Sequence, residues 1–514
     1  MLSTQSNSIK GNLNIRKRQK GSGAMKKKIK LLAAAVLVLS FMCSAGACAS
    51  VSENKKSKNA FQETPQEAAG SNQDFLVPEV LGQPTDRSII VNVVPAVNMD
   101  ICIEYGTAPG QYTGKTDTIT AEASAPREIL LDNLTQNKRY YYKITYRKTG
   151  DEAFLSEPEN TFETQRAPGS QFVFDIQGDS HPERQQQFSS ELYINTMHNV
   201  QADKPDFYFT MGDDFSVDTM NTITEDKVDQ LYINQRRYLG LVGSSAPLFL
   251  VNGNHEQAAQ YVLDGTANNA AVWGQNARNT YFSQPLPGDF YTGDTEDVQY
   301  IGKLRDYYAF IWGDALFVVI DPYWHSSIPV DNPIDGDKKR TDMWGITLGD
   351  AQYQWFKKTL EESNAKYKFV FSHHVLGTGR GGIELADLYE WGGKDKNGSY
   401  QFDEKRPGWE LPIQEMMAEN NVTIFFQGHD HIFAKEELDG VIYQTLPEPA
   451  DPNYALYNSD AYKSGVKFPN SGHVRVTVSS EQVKVEYINS VLSNGVRNGE
   501  TNGEAIYTYT VNPK

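Results

Sequence analysis

Cysteine is scarce in this chain: only Cys43, Cys48 and Cys102 occur in 514 residues. Two of the three fall in an N-terminal leader, so the remainder has no pair from which to build a disulfide framework. Positive charge is also in deficit, with 48 Lys and Arg against 65 Asp and Glu, a formal net charge of −17. Removal of residues 1–48 takes away nine basic and no acidic residues, leaving 39 basic against 65 acidic and a formal charge of −26. A surface of that sign repels phosphate backbones, which argues against long nucleic acids as partners. Histidine is scarce as well, at nine residues, so the way the chain spends its imidazoles is informative.

What is present begins with the leader. MKKKIK from Met25 is basic, LLAAAVLVLSFMCSAGA is apolar, and AGAC ends on small residues. That order of segments is an export signal rather than a membrane span. Met25 is a better start than Met1, and residues 1–24 lie upstream of it. Cleavage near Ala47 or Ala49 is one route of processing. AGAC also resembles a bacterial lipoprotein signal, which implies lipid on Cys48 and a cell-surface lipoprotein; simple cleavage would give a secreted protein instead. Residues 49–76 are polar and poor in aromatics, suited to a tether.

From residue 77 to 166, alternating runs such as SIIVNVV, MDICIEY and YYYKITY are separated by turn-rich GTAPG and KTGDE. That pattern predicts the short strands of a β-sandwich. LDNLTQNKRYYYKI, with Leu134 six residues before Tyr140, and FET at 162–164 resemble the end of a fibronectin type III domain. A packing module is the expected role, with substrate or wall binding as the alternative.

Residues 167–514 change to an α/β pattern. QFVFDI, DFYFTM, PLFLVN, ALFVVI, KFVFSH and VTIFFQ read as buried strands, with amphipathic segments such as DAQYQWFKKTLEES between several of them. Five of these runs end in donors: GDSH with Asp179 and His181, GDD with Asp213, GNHE with Asn254 and His255, SHH with His373, and GHDH with His429 and His431. Strand ends are where open α/β sheets bind ligands, and independent solvent turns have no reason to share one chemistry. His198, His325 and His473 lie outside these segments and are expected in surface or packing roles.

The ordered series GDSH, GDD, GNHE, SHH and GHDH resembles the calcineurin-like metallophosphoesterase superfamily, and the preceding sandwich is similar to the N-terminal domain of purple acid phosphatases. The fold implied is a two-sheet α/β metallophosphoesterase sandwich flanked by helices, preceded by an all-β fibronectin type III-like sandwich. The resemblance implies two metal ions, divalent or trivalent, with manganese, iron and zinc all compatible with the mixed donor set. It implies Asp179, His181, Asp213 and His431 at the first metal, and Asn254, His373, His429 and the shared Asp213 at the second. A bridging hydroxide would then attack a phosphate ester clamped between the metals. On this reading His429 and His431, one residue apart, serve different metals. His255 is the expected general acid, and Arg380 in GTGRGG is a candidate fork for the substrate phosphate. Asp214 and Asp218 are expected to be loop carboxylates, and His374 competes with His373 as the ligand.

Purple acid phosphatases carry a tyrosine three residues after the bridging aspartate; Ser216 stands there in this chain, so no iron–tyrosinate colour is expected. A metallo-β-lactamase type of hydrolase would need a dense HxHxDH cluster, which does not occur. Monoester and diester substrates remain open, a nucleotide-directed phosphodiesterase or nucleotidase included, as does a non-catalytic surface protein on the same fold. The segments 256–305 and 376–410 are expected to wall the cleft, where Trp273, Tyr281, Tyr291, Tyr389 and Trp391 either stack on substrate or pack the loops.

Overall fold

A computed structural model describes residues 73–330, 343–375, 379–493 and 499–514. The leader, Met25, Cys48 and nearly all of the 49–76 tether lie outside the described residues. Among those described, no helix is long and apolar enough to cross a membrane.

The first sheets are antiparallel. Phe75–Gly82, Ile89–Pro95 and Arg127–Leu131 form one, and Met99–Gly106 pairs with Arg139–Lys148 at the centre of the other. Side chains alternate as the period of 2 requires. Ile89, Val91 and Val93 of one sheet and Ile101, Ile103, Tyr142 and Ile144 of the other share a core. The Leu134–Tyr140 spacing is a corner: Thr135 N donates to Tyr140 Oη at 2.9 Å, and Leu134 is buried in the same core.

Two larger sheets follow. One is six-stranded, in the order Leu248–Leu250, Phe207–Thr210, Phe172–Gln177, Gly472–Val478, Val483–Asn489 and Ala505–Val511. Its first three strands run parallel and the last three pair antiparallel. The second is eight-stranded, with Ala315–Val319, Tyr367–Phe371, Ile424–Gln427 and Val441–Thr445 as a parallel centre. The sheets face each other through phenylalanines: Phe172, Phe174, Phe207, Phe209 and Phe249 from one, Phe310, Phe317, Phe369, Phe371 and Phe426 from the other. Phe209 stacks on Phe371 with ring centroids 4.3 Å apart. Such aromatic pairs add about 0.5–1.5 kcal/mol each beyond area burial and fix how the two sheets sit.

Helices cover the outer faces, Ser190–Asp203, Glu225–Gly243 and Ala270–Tyr281 on one side and Asp350–Glu362 and Ile413–Glu419 on the other. Ser189 caps the first of them, its Oγ accepting from Leu192 N at 3.3 Å, and Asn269 caps the third through Val272 N at 3.1 Å.

The β-sandwich is joined to the α/β region by a buried polar clamp. Helix Glu225–Gly243 lies against strand Phe75–Gly82, close enough that a Cβ at Gly240 would stand 2.8 Å from Pro78 Cβ. Arg236 is fully buried on that helix. Its guanidinium donates to Pro78 O at 3.1 Å, to Asn92 Oδ1 and O at 2.6 Å each, and to Tyr281 O at 2.5 Å. Burial pulls its pKa down to about 9 against the opposing charge of Glu79.

The aromatics of the two long segments pack rather than project: Tyr281, Tyr291, Tyr389 and Trp391 are buried in hydrophobic cores, and Trp273 packs against one. Arg236→Ala should lower stability by about 3–5 kcal/mol, since it strands several buried carbonyls at once. Arg236→Lys should recover only part of that loss, because an ammonium cannot reproduce the fork. Denaturant unfolding of both variants checks the expectation, and a wild-type midpoint for Arg236→Ala would contradict it.

Candidate metal centre

The parallel strands of both sheets point their C-terminal ends at one edge, and the five donor loops meet there. Glycines make the approach possible. A Cβ at Gly428 would lie 2.5 Å from Asp179 Oδ1, and one at Gly253 would lie 2.3 Å from Asp213 Oδ1. His181, Asp213, His429 and His431 all sit in the left-handed region, with φ of 43°, 58°, 67° and 54°. Non-glycine residues there cost of order 1–3 kcal/mol each and persist where surrounding contacts over-determine them.

Asp179 and Asp213 are each 1% exposed. The two are held the same way. His429 N donates to Asp179 Oδ1 at 2.7 Å, and His255 N donates to Asp213 Oδ1 at 2.8 Å. Each Oδ2 then faces imidazoles. Asp179 Oδ2 is 3.1 Å from His431 Nε2 and 3.7 Å from His181 Nε2. Asp213 Oδ2 is 3.1 Å from His373 Nε2 and 3.7 Å from His181 Nε2. His373 Nε2 also lies 3.2 Å from Asn254 Oδ1 and 3.3 Å from His429 Nδ1. Asp213 is therefore common to two donor groups, one with Asp179, His181 and His431, the other with Asn254, His373 and His429.

Each of three imidazoles is oriented through its other nitrogen, as metal-binding histidines usually are. His181 Nδ1 bonds Glu183 Oε1 at 2.8 Å, His431 Nδ1 pairs with Glu448 Oε1 at 2.9 Å, and His373 Nδ1 donates to Met211 O at 2.6 Å. The Nε2 atoms are left to point inward. His181 Nε2 is buried and has no hydrogen-bond partner. Donors on one cation with bonds of about 2.0–2.2 Å stand about 2.9–3.6 Å apart, close to the spacings here, so the residues fit metal ions. Among the described residues, Asp179–His181–His431 and Asp213–His373–His429 are both groups able to hold one.

Electrostatics agree. Burial opposes ionisation of Asp179 and Asp213, but the neighbouring imidazoles, His373 foremost, outweigh it and hold both carboxyls well below their usual range. Burial likewise opposes charge on His373, yet Asp213 and Asp179 push it up to about 10; at His431, Glu448 and Asp179 do the same, again to about 10.

His255 stands beside this centre. Its Nδ1 bonds Asp218 Oδ1 at 2.8 Å, and its Nε2 lies 3.2 Å from Arg184 Nη2 and 3.8 Å from Asp213 Oδ2. Despite burial, Asp213 and Asp218 push it up to about 9. Arg380 is anchored elsewhere: its Nη1 donates to His429 O and lies 3.3 Å from Asp430 Oδ1, and the side chain is 39% exposed. His374 bonds Tyr323 Oη at 2.9 Å and stacks on His429, so His373 is the one aimed at Asp213. Asp218 orients His255, while Asp214 is buried beneath the loop, bonded by Ser180 Oγ at 2.5 Å and Gln177 Nε2 at 2.9 Å and raised by burial to about 7.

Sequence reasoning missed Glu183, Glu448, Arg184 and Glu256. Glu256 accepts from Gly253 N at 2.6 Å, Phe215 N at 3.0 Å and Asp213 N at 3.1 Å, tying two donor loops together. Its place in GNHE was visible; its partners were not.

A family profile described as calcineurin-like phosphoesterase matches residues 172–433, just over half of the chain. Among solved structures, one described as the structure of PhoD is similar, at 18% identity over 86% of this chain and 91% of that one, with a TM-score of 0.61. GAP50, the anchor in the inner membrane complex of Plasmodium, gives 13% identity over 67% and 89% of the two chains with a TM-score of 0.37. A putative 5'-nucleotidase from Staphylococcus aureus gives 13% over 65% and 56%, with a TM-score of 0.33. A search of curated protein sequences finds no match.

Metal binding should be coupled to proton release. In the metal-free protein His373 and His431 stay protonated up to about pH 10, and a cation needs them neutral, so affinity should fall as pH drops from about 9 to 6. Calorimetric titration of stripped protein in buffers of different ionisation enthalpy measures the protons released. Binding with no proton release would contradict the assignment of these imidazoles.

Proposed function

The chain belongs to the calcineurin-like phosphoesterase family and is a metal-dependent phosphoester hydrolase; from that premise we propose a two-metal phosphoesterase, exported, with the ligand sets implied by the strand-end motifs. The observation that carries the two-metal reading is Asp213, whose Oδ2 faces His181 of one donor group and His373 of the other. Metal ions bound there would supply Lewis acidity and an activated water nucleophile.

The remaining steps belong to the chain's own residues. Asp218 fixes the His255 ring through Nδ1, so the mobile proton sits on Nε2, toward the centre. In the metal-free protein Asp213 and Asp218 raise the His255 pKa despite burial, and a protonated Nε2 suits a group that protonates a leaving alkoxide. Arg184 Nη2 donates to His255 Nε2 at 3.2 Å, and protonation of Nε2 would leave both groups as donors on one side of the centre. Two donors so placed call for an anionic oxygen, and a substrate phosphate supplies one. Arg184 is thereby better placed than Arg380 to hold the phosphate, while Arg380 braces the loop carrying His429 and His431. All seven expected donors converge on one edge, which supports a working centre over a non-catalytic surface protein.

The same reading takes residues 77–166 as a packing module for a catalytic region at 167–514; the buried Arg236 clamp supports it. It also places the mature protein outside the cytoplasmic membrane, held by lipid on Cys48. Cys48→Ser should move the protein from the membrane fraction to the medium, and unchanged fractionation would sink the lipid anchor while leaving export standing.

Neighbouring side chains in GNHE should fail differently. Asn254→Ala should lose metal, and rate with it. His255→Ala should keep its metal and lose about 10²–10⁴-fold in rate, most for an alkyl phosphate with a basic leaving group and least for a nitrophenyl phosphate. Metal content and rates on both substrates are measured together. Metal loss in His255→Ala, or equal slowing of both substrates, would remove the general-acid role.

A further inference from the structure

Away from the strand ends, a second group of donors lies between the first large sheet and its covering helix. Asp175 is in the middle of strand Phe172–Gln177, His473 is in the neighbouring strand Gly472–Val478, and Asp203 is the last residue of helix Ser190–Asp203. Asp175 stands apart from the strand-end centre, four residues before Asp179 on a strand that ends at Gln177, a span of up to about 13 Å in extended chain. Its neighbours Phe174 and Ile176 face the core between the sheets, so alternation turns its carboxylate to the helix side.

That carboxylate is anomalous. Asp175 is fully buried, and neither of its oxygens accepts a hydrogen bond. A buried polar group in this condition is rare and costly. His473 is also fully buried, its Nε2 2.9 Å from Asp203 Oδ2 and 3.7 Å from Asp175 Oδ2. These spacings match those of the strand-end centre, where imidazole and carboxylate atoms stand 3.1 and 3.7 Å apart. Arg475 bonds the other Asp203 oxygen at 2.5 Å and Glu486 at 3.0 Å, and Lys484 pairs with Glu486 at 2.9 Å, so these two cations are engaged with Asp203 and Glu486.

We propose that Asp175, Asp203 and His473 form a third, structural cation site for a divalent transition metal, joining the C-terminal strand, the first helix and the strand that leads into Asp179. One imidazole with two carboxylates suits zinc or manganese better than calcium or magnesium. His473, expected from the sequence in a surface or packing role, is then a ligand.

The test uses the full mature chain, stripped of metal, reloaded with Zn²⁺ or Mn²⁺ and dialysed, with bound metal counted per chain. His473→Gln and Asp175→Asn should each bind one ion fewer than the unaltered protein. Phosphoester hydrolysis should stay within about twofold, as for sites too far apart to couple, and added Zn²⁺ should raise the thermal midpoint of the unaltered chain more than that of either variant. Equal metal counts in variants and unaltered protein would overturn the proposal, and would leave Asp175 a buried neutral acid. If the variants do not fold, zinc-edge anomalous diffraction from crystals of the unaltered chain decides. A peak among Asp175, Asp203 and His473 supports the site, and its absence beside occupied strand-end positions overturns it.

Discussion

Two carboxylates, Asp179 and Asp213, lie almost wholly out of water at one sheet edge, and the architecture around them is arranged to keep both charged. Taking a carboxylate out of water costs several kcal/mol even after relaxation, and two in one site repel each other. Each is compensated in the same two-sided way, by a backbone N–H on one oxygen and imidazoles on the other. Those backbone donors belong to His429 and His255, residues of loops from other strands, so the loops are locked to each other through the acids. The left-handed backbone at four donor positions follows from the same demand: the chain must turn sharply after each strand to bring its side chain back over the edge.

That edge exists because the sheets are fixed by their shared face. Phenylalanines on seven strands interdigitate between the sheets, and the parallel strands among them end together. A slip of one residue in any of these strands would turn its aromatic outward and its donor loop away from the centre. The N-terminal sandwich adds rigidity from outside. Arg236 draws Pro78, Asn92 and Tyr281 onto one guanidinium, and its helix, Glu225–Gly243, also sends Gln235 to Ser180, between Asp179 and His181.

The donor set was legible in the sequence because each member directly follows an apolar run, a local relation that needs no knowledge of pairing. The strand pattern and both β-rich regions were legible for the same reason. The supporting residues were not. Glu448 meets His431 from the far side of a β-hairpin, Asp218 reaches His255 across 37 positions, and no local signal marks either. Arg184 was within sight, three residues after His181, but a lone arginine in a loop announces nothing until its neighbour is known. Arg380 shows the converse: its setting among glycines suggested a phosphate fork, whereas its guanidinium is spent partly on the His429–Asp430 backbone and side chain. Sequence order carries which side chains converge well here and carries their orientation poorly, since orientation is set by contacts between distant loops.

The charge balance of the whole chain gives the centre its remaining constraint. Beyond residue 48 the protein is strongly acidic, and Asp179, Asp213, Glu183, Asp218 and Glu448 all crowd the site. An anionic ester would be repelled from such a place unless positive charge is concentrated at the point of contact. Arg184 and His255 stand at its side, and both are fixed by contacts to the same cluster rather than by long-range attraction. The rest of the positive charge must come from cations held between the carboxylates. Acids that would exclude the substrate on their own thereby become the means of holding the charge that admits it.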